Sequence, residues 1–204
     1  MKIQSLLKAT ALTMAAVTML SFAERPAPVK FKVDEKASTI GWIGKKVTGQ
    51  HTGNVQIASG ELTADKKAIK EGSFEIDMTT LTVTDITDAT GNARLLGHLK
   101  SDDFFGVEKF PKAKFVISSV TPKTGDEYTV KGSLTIKGIT QPIEFPATIK
   151  NDGKKLTAMA KIVIDRTKYD IKYRSTNFFE NLGDKAISND FELDVNLVAG
   201  AQSI

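Results

Sequence analysis

From residue 29 onward, apolar and polar side chains alternate. Val29, Phe31 and Val33 are separated by Lys30 and Lys32, and Phe74, Ile76 and Met78 by Glu75 and Asp77. Tyr128, Val130, Leu134 and Ile136 share one parity, interrupted by Gly132; Ile143, Phe145, Ala147 and Ile149 repeat the pattern. Phe191, Leu193, Val195 and Leu197 do so again, against Glu192, Asp194 and Asn196. A period of two buries one face of a strand and wets the other. Antiparallel strands read this way, whereas parallel strands, covered on both faces, read as continuous apolar runs. Less regular strands are predicted at residues 39–45 (holding Trp42), 54–63 (Val55, Ile57), 114–120 (Phe115, Ile117) and 156–165 (Ile162, Ile164). Turn residues separate them at Thr124-Gly125-Asp126, Lys137-Gly138 and Asn151-Asp152-Gly153.

Two stretches break the alternation. Residues 92–105 place Leu95, Leu96 and Leu99 at helical spacing, which predicts a short helix. Residues 166–185 have no period and read as a long loop with one helical turn around 178–182. Loops of that length in a compact domain tend to rim functional sites. Roughly nine one-faced strands hide their apolar parity either by closing into a barrel or by stacking as a sandwich.

Composition narrows the function. The chain has 204 residues, 41% of them hydrophobic, and no cysteine, which excludes disulfides, thiol chemistry and cysteine-ligated metal. A net charge of +4, from 28 basic and 24 acidic residues, is too mild a bias to predict a nucleic-acid partner. The first 23 residues read as a secretory signal peptide. Lys2 and Lys8 precede an uncharged run from Ala9 to Phe22, and Ser21-Phe22-Ala23 offers small residues at the cleavage positions. That run, about 14 residues, is shorter than the roughly 20 a membrane-crossing helix needs. Cleavage after Ala23 is therefore expected, leaving residues 24–204 as one exported domain, periplasmic or secreted, without stable membrane insertion. The oligomeric state is open, a homodimer included.

Catalytic motifs are missing. The sequence holds no Gly-x-Ser-x-Gly elbow, no phosphate-binding glycine loop and no His-Glu-x-x-His. Its two histidines rule out a three-histidine metal site. His51 lies beside Gly49 and Gly53 at a strand start, and His98 on the predicted helix with Asp102 one turn on. They read as loop-orienting hydrogen-bonding groups, as contacts to a ligand head group, or, with Asp102 or Asp103, as part of a metal site. Trp42 shares parity with Ile40 and is either packed core or cavity wall. Phe104, Phe105 and Phe110 either plug one end of a barrel or touch ligand. Arg166, Lys168, Lys172 and Arg174, interleaved with Tyr169 and Tyr173, form a solvated rim, or steer an anionic head group if a barrel mouth lies there.

Three blocks, in order, carry a family resemblance. Gly97-His98-Leu99-Lys100-Ser101-Asp102-Asp103-Phe104-Phe105, with Phe110-Pro111-Lys112-Ala113-Lys114-Phe115, resembles the central signature of the YceI-like family. The stretch from Gly132-Ser133-Leu134 through Lys137-Gly138 to Gln141-Pro142-Ile143 resembles its second, a strand–turn–strand hairpin. Ile164-Asp165-Arg166 followed by Tyr169-Asp170-Ile171 is similar to the third. Many relatives carry an Arg-Asp pair before the His-Leu, where this chain has Leu96-Gly97.

The resemblance implies a mainly-β fold: a single antiparallel lipocalin-like β-barrel of about eight strands with one or two short helices. It also implies an exported protein that binds polyisoprenoid or similar amphiphilic chains in an apolar interior. The inward parity then nominates Trp42, Val55, Ile57, Phe74, Ile76, Met78, Leu99, Phe104, Phe105 and Phe115 as cavity wall. Ile117, Leu134, Ile136, Ile143, Phe145, Ile162, Ile164, Phe191 and Leu193 complete it. Gly132, Ala147, Ala158 and Ala160 are small residues among them that leave room. His51, His98, Arg166 and Arg174 are the candidates for head-group contact. No catalytic residue, metal or cofactor is expected; the partner is an isoprenoid or other long-chain lipid. Two rival readings are an enzyme acting on such a lipid, with His51 or His98 as general base, and a solidly packed interaction module.

Overall fold

The first two strands of the computed structural model, which describes residues 27–202, share one place in the sheet. β1 (Val29–Val33) and β2 (Thr39–Lys46) both run antiparallel to β3 (Gly49–Asp65), β1 against its Glu61 to Ala64 and β2 against its Gly49 to Val55. Both also pair with β9 (Ile187–Ala201). They are two halves of one stave. The break between them is stitched to β9 at one residue. The Val198 carbonyl accepts from the Asp34 N–H (2.8 Å) and the Ser38 hydroxyl (3.3 Å), and the Val198 N–H donates to Ser38 Oγ (3.0 Å). Without the Ser38 hydroxyl the Val198 N–H would lose its partner at this break.

Between β3 and β9 run β4 (Ala68–Asp77), β5 (Lys112–Pro122), β6 (Glu127–Ile136), β7 (Ile139–Asn151) and β8 (Lys155–Asp165), each antiparallel to the next. Pairing of β9 with β1 and β2 closes an up-and-down barrel of eight staves made from nine strands. Closure removes most of the exposed sheet edges that invite aggregation. Register shifts between Ile57 and Ser59 in β3, and between Ile117 and Ser119 in β5, mark bulges. Each bulge bends its strand and moves the inward parity by one residue. Val55 and Ile57 therefore give way to Leu62 and Ala64 on the same buried face.

One seam stays unzipped. β7 and β8 pair only where Thr148 to Asn151 meet Leu156 to Met159. The β6–β7 hairpin turns through Lys137 (φ 53°) and Gly138 (φ 76°), the positive pair of a two-residue turn. Counting alternate hydrogen-bonded pairs from Ile136 and Ile139, Pro142 and Pro146 fall at positions whose N–H would point toward β8. Proline has no N–H to give, so the ladder ends there. The fully buried Tyr169 packs beside this seam.

The helix α1 (Ala89–Lys100) begins earlier than residue 92 because the Asp88 carboxylate accepts the Gly91 N–H (2.6 Å). It stops at Ser101 instead of running to 105. In the long loop the helical turns lie at Arg166–Tyr169 and Gly183–Lys185, not around 178–182. Asp165 caps the first by accepting the Thr167 N–H (2.9 Å), and a left-handed Asn181 (φ 57°) keeps residues 178–182 from coiling. The barrel end away from α1 is shut by Phe31, Ala64, Leu156 and Ala199, all fully buried. Residues 1–23, read as a signal peptide, lie outside the described residues.

Candidate functional site: a hydrocarbon-lined bore with one polar end

The inward side chains of all the staves from β2 to β9 surround a cavity of about 230 Å³. On β8 alone, Leu156, Ala158, Ala160, Ile162 and Ile164 face it in strict alternation. The eight steps from Leu156 to Ile164, at about 3.3 Å rise each, make that wall about 26 Å long, so the space is a bore rather than a pit. Trp42 stands on its wall from β2, Val55 and Ile57 from β3, Phe74 and Ile76 from β4, and Met78 from the 3-10 turn after it. Leu99 of α1, with Phe104 and Phe105 beyond it, covers the helix end. Phe115 and Ile117, Leu134 and Ile136, Ile143 and Phe145, Ile162 and Ile164, and Phe191 and Leu193 supply the rest from β5 to β9.

Sequence reasoning left out further wall residues. Val130, Ile149, Val195 and Leu197 lie on parities already read as inward, so their signal was present. Leu62 and Val120 follow the two bulges, where alternation restarts on the other parity. Leu81 and Ile171 sit on irregular segments that carry no period.

Aromatic contacts set the wall's shape. Phe74 stacks on Phe115 with ring centroids 6.3 Å apart, Phe115 tilts against Phe145 at 5.6 Å, and Phe105 meets Phe191 edge-on at 6.2 Å. Trp42 is wall and packed core at once. Its Nε1–H donates to the Thr82 carbonyl (3.0 Å), on a segment that continues beside β3 past the end of β4 through Thr82 N–H to Asn54 O (2.9 Å) and Thr84 N–H to Thr52 O (2.8 Å). Gly132 corrects an expectation. Ala147, Ala158 and Ala160 do border the cavity, but the space above Gly132 is filled by the Phe115 ring.

Polar residues border the cavity only at the end nearest the long loop, where Lys45, Arg166, Ser188 and Asp190 lie. A register break opens the sheet there. Gly44 faces Phe191 while Lys46 faces Ile187, so Ser188 to Asp190 bulge past a single β2 residue. The Asn189 Oδ1 is buried beside this bulge without a hydrogen-bond partner, and Lys45 pairs with Glu192. Arg166 is 4% exposed. Its guanidinium donates to the Ile171 (2.7 Å), Ser188 (2.8 Å) and Ile187 (3.1 Å) carbonyls, fastening the loop to the start of β9. Burial pulls its pKa below the ordinary arginine value, partly opposed by Asp165.

The other head-group candidates lie outside the lining. His51 pairs through Nδ1 with Asp85 Oδ2 (2.8 Å). His98 packs edge-on against Phe104 (4.9 Å) and Tyr173 (4.6 Å) and reaches Asp103 Oδ2 at 3.1 Å. Arg174 is exposed and lies over the Tyr173 ring (5.1 Å). The two histidines thus serve separate carboxylates. Among the described residues no group of three or more His, Cys, Asp or Glu side chains is placed to hold a metal ion. The arrangement can enclose a hydrocarbon chain, with polar residues bordering the cavity at one end.

A family model described as YceI-like domain matches residues 31–199. A UPF0312 protein of Photorhabdus laumondii is 28% identical over 196 residues, covering 93% of this chain and 97% of its own length. Among solved structures, Burkholderia cenocepacia BcnA superposes with a TM-score of 0.65 at 21% identity, over 81% of this chain and 98% of that one. A domain from Saccharophagus degradans, described as polyisoprenoid binding and implicated in plant cell wall breakdown, gives 0.60 at 14% identity, over 84% and 98%. At such identities these two likenesses show the shared fold.

Proposed function

The chain belongs to the YceI-like family, and from that premise we propose that it is an exported carrier that sequesters one long apolar amphiphile in its bore without covalent chemistry. The ligand class is a polyisoprenoid, a quinone or an acyl chain. One observation carries the reading: a wall of aliphatic and aromatic side chains along the whole bore, with polar residues bordering it at one end alone. Each buried CH₂ contributes about 0.8 kcal/mol. Ten buried carbons therefore gain about 8 kcal/mol, enough to offset association costs at the lower end of their range of about 4 to 15 kcal/mol. No specific hydrogen bond is required. The polyisoprenoid-binding domain of Saccharophagus degradans, similar in fold, supports a prenyl chain in particular. Neither histidine borders the bore, so neither is poised as a general base for a ligand held there. Export rests on residues 1–23 and is tested by N-terminal sequencing of the protein recovered from the periplasm or medium, which should begin at Glu24.

The direct experiment is lipid extraction and mass spectrometry of protein purified from its native host, with titration by a fluorescent farnesyl probe. A stoichiometric prenyl or acyl species together with probe binding is the expected result. An empty extract with no probe binding overturns the proposal.

A further inference from the structure

Six large apolar side chains are conspicuously exposed among the described residues, and three of them flank the mouth of the bore. Val47, 67% exposed, tips the β2–β3 hairpin; Phe178 and Phe179, 50% and 48% exposed, sit on the long loop. The two segments are joined, because the Val47 N–H donates to the Ala186 carbonyl (3.4 Å). The Ile187 N–H donates to the Arg174 carbonyl (3.0 Å) and pins the base of the loop one residue from Ser188 at the rim. The backbone that carries the rings is held in place. The carbonyl of fully buried Ser175 accepts the Phe178 (3.1 Å) and Phe179 (3.0 Å) N–H groups. Phe178 packs against a cation instead of the core, with Lys172 Nζ 5.2 Å from its ring centre.

Beside these tips along the chain, Lys46, Arg174 and Lys185 are exposed and have no ion-pair partner among the described residues. Glu180 and Asp184 lie on the same loop, so the net charge of the patch is small and apolar contact must dominate any attraction. Aromatic tips beside long basic side chains suit the headgroup–acyl boundary of a bilayer, where the rings enter hydrocarbon and the charged ends stay with phosphate. A second feature selects that surface over a protein. Val47 and its partner Ala186 lie two residues from Lys45 and Ser188, which border a hydrocarbon-lined bore whose ligand, on the reading above, would otherwise cross water to reach it.

We propose that this end of the barrel docks transiently on a lipid bilayer, with Phe178, Phe179 and Val47 inserted and the Lys45–Asp190 mouth turned toward the lipid. Ligand then passes between membrane and bore without full exposure to water. The inference rests on the carrier reading, and its test separates the two. Protein lacking residues 1–23, whose apolar run would bind lipid by itself, is floated with phosphatidylethanolamine–phosphatidylglycerol vesicles. The wild type should co-float, and F178S/F179S should lose most of its bound fraction, about fivefold or more, on the scale of removing two inserted aromatic anchors. The double variant should still bind the farnesyl probe in vesicle-free buffer with wild-type affinity, yet take it up from vesicles more slowly. Val163→Ser removes an equally exposed apolar side chain from the outer wall of β8 and should float like the wild type. Unchanged flotation of the double variant overturns the proposal, and so does an accompanying loss of self-association, which would make the patch a dimer interface. A wild type that floats but never binds the probe supports docking and sinks the carrier reading instead.

Discussion

Gly132 of β6 lies beneath the Phe115 ring of β5 so closely that a Cβ there would stand 2.5 Å from the ring's Cε2 and Cζ. It would come nearer still to the Val116 carbonyl oxygen, a backbone atom that cannot swing aside. This glycine lets an aromatic ring lie flat on the neighbouring strand and keeps the Phe74–Phe115–Phe145 run in order along the wall. Gly132→Ala is expected to cost about 1 to 3 kcal/mol, the usual cost of overpacking. Urea unfolding should show an earlier midpoint with unchanged slope; an unaltered midpoint would mean the ring has room to move.

Asp85 ties the His51 strand to the segment after β4. Burial works to raise its pKa, but hydrogen bonds from the Thr52 N–H (2.9 Å) and His51 (2.8 Å) outweigh it and hold the carboxyl below its ordinary value. A carboxyl depressed in the folded state stabilises the fold above its unfolded pKa and loses that contribution as pH falls through the folded one. Asp85→Asn should therefore melt earlier than the wild type at neutral pH, by under about 1 kcal/mol, as for partly exposed pairs. The two melting curves should converge in acid, below the range in which an ordinary aspartate titrates. A gap that persists there would assign the effect to packing.

The seam between β7 and β8 makes a prediction for hydrogen exchange. Amides of residues 160–165 that face β7 have no ladder partner, whereas those facing β9 are paired along the whole strand. Within β8, alternate amides in that stretch should exchange far faster than their neighbours, while residues 156–159 are protected on both sides. Uniform slow exchange would show that the seam closes in solution.

Much of the barrel was readable because one-faced strands need only a period of two, which β7 and β9 from Phe191 onward keep and β6 breaks only at Gly132. What alternation does not encode is where it restarts. The bulges after Ile57 and Ile117 shift the buried set by one residue, so Leu62 and Val120 looked out of phase although they share the wall. Nor does it reveal that β1 and β2 are one stave, since their join depends on Ser38 meeting Val198, 160 residues away. The polar candidates fared differently from the wall. Local sequence marks a histidine or arginine as chemically capable, but its direction is set by distant partners: Asp85 for His51, Tyr173 for His98, and carbonyls of β9 for Arg166. The mouth arises from a register break between β2 and β9, invisible to any local pattern.

The central claim, that the bore itself holds the ligand, is tested by the affinity of the farnesyl probe in wild type, Ala160→Phe and Met159→Phe. Ala160 borders the cavity, so a phenyl group fills the bore at mid-length, whereas its neighbour Met159 points outward and is 54% exposed. With all three proteins equally folded by circular dichroism, Ala160→Phe should weaken binding by about tenfold or more, since every 1.4 kcal/mol of displaced contact is one decade. Met159→Phe should match the wild type. Equal affinity in all three, or a wild type that ignores the probe, would contradict the account.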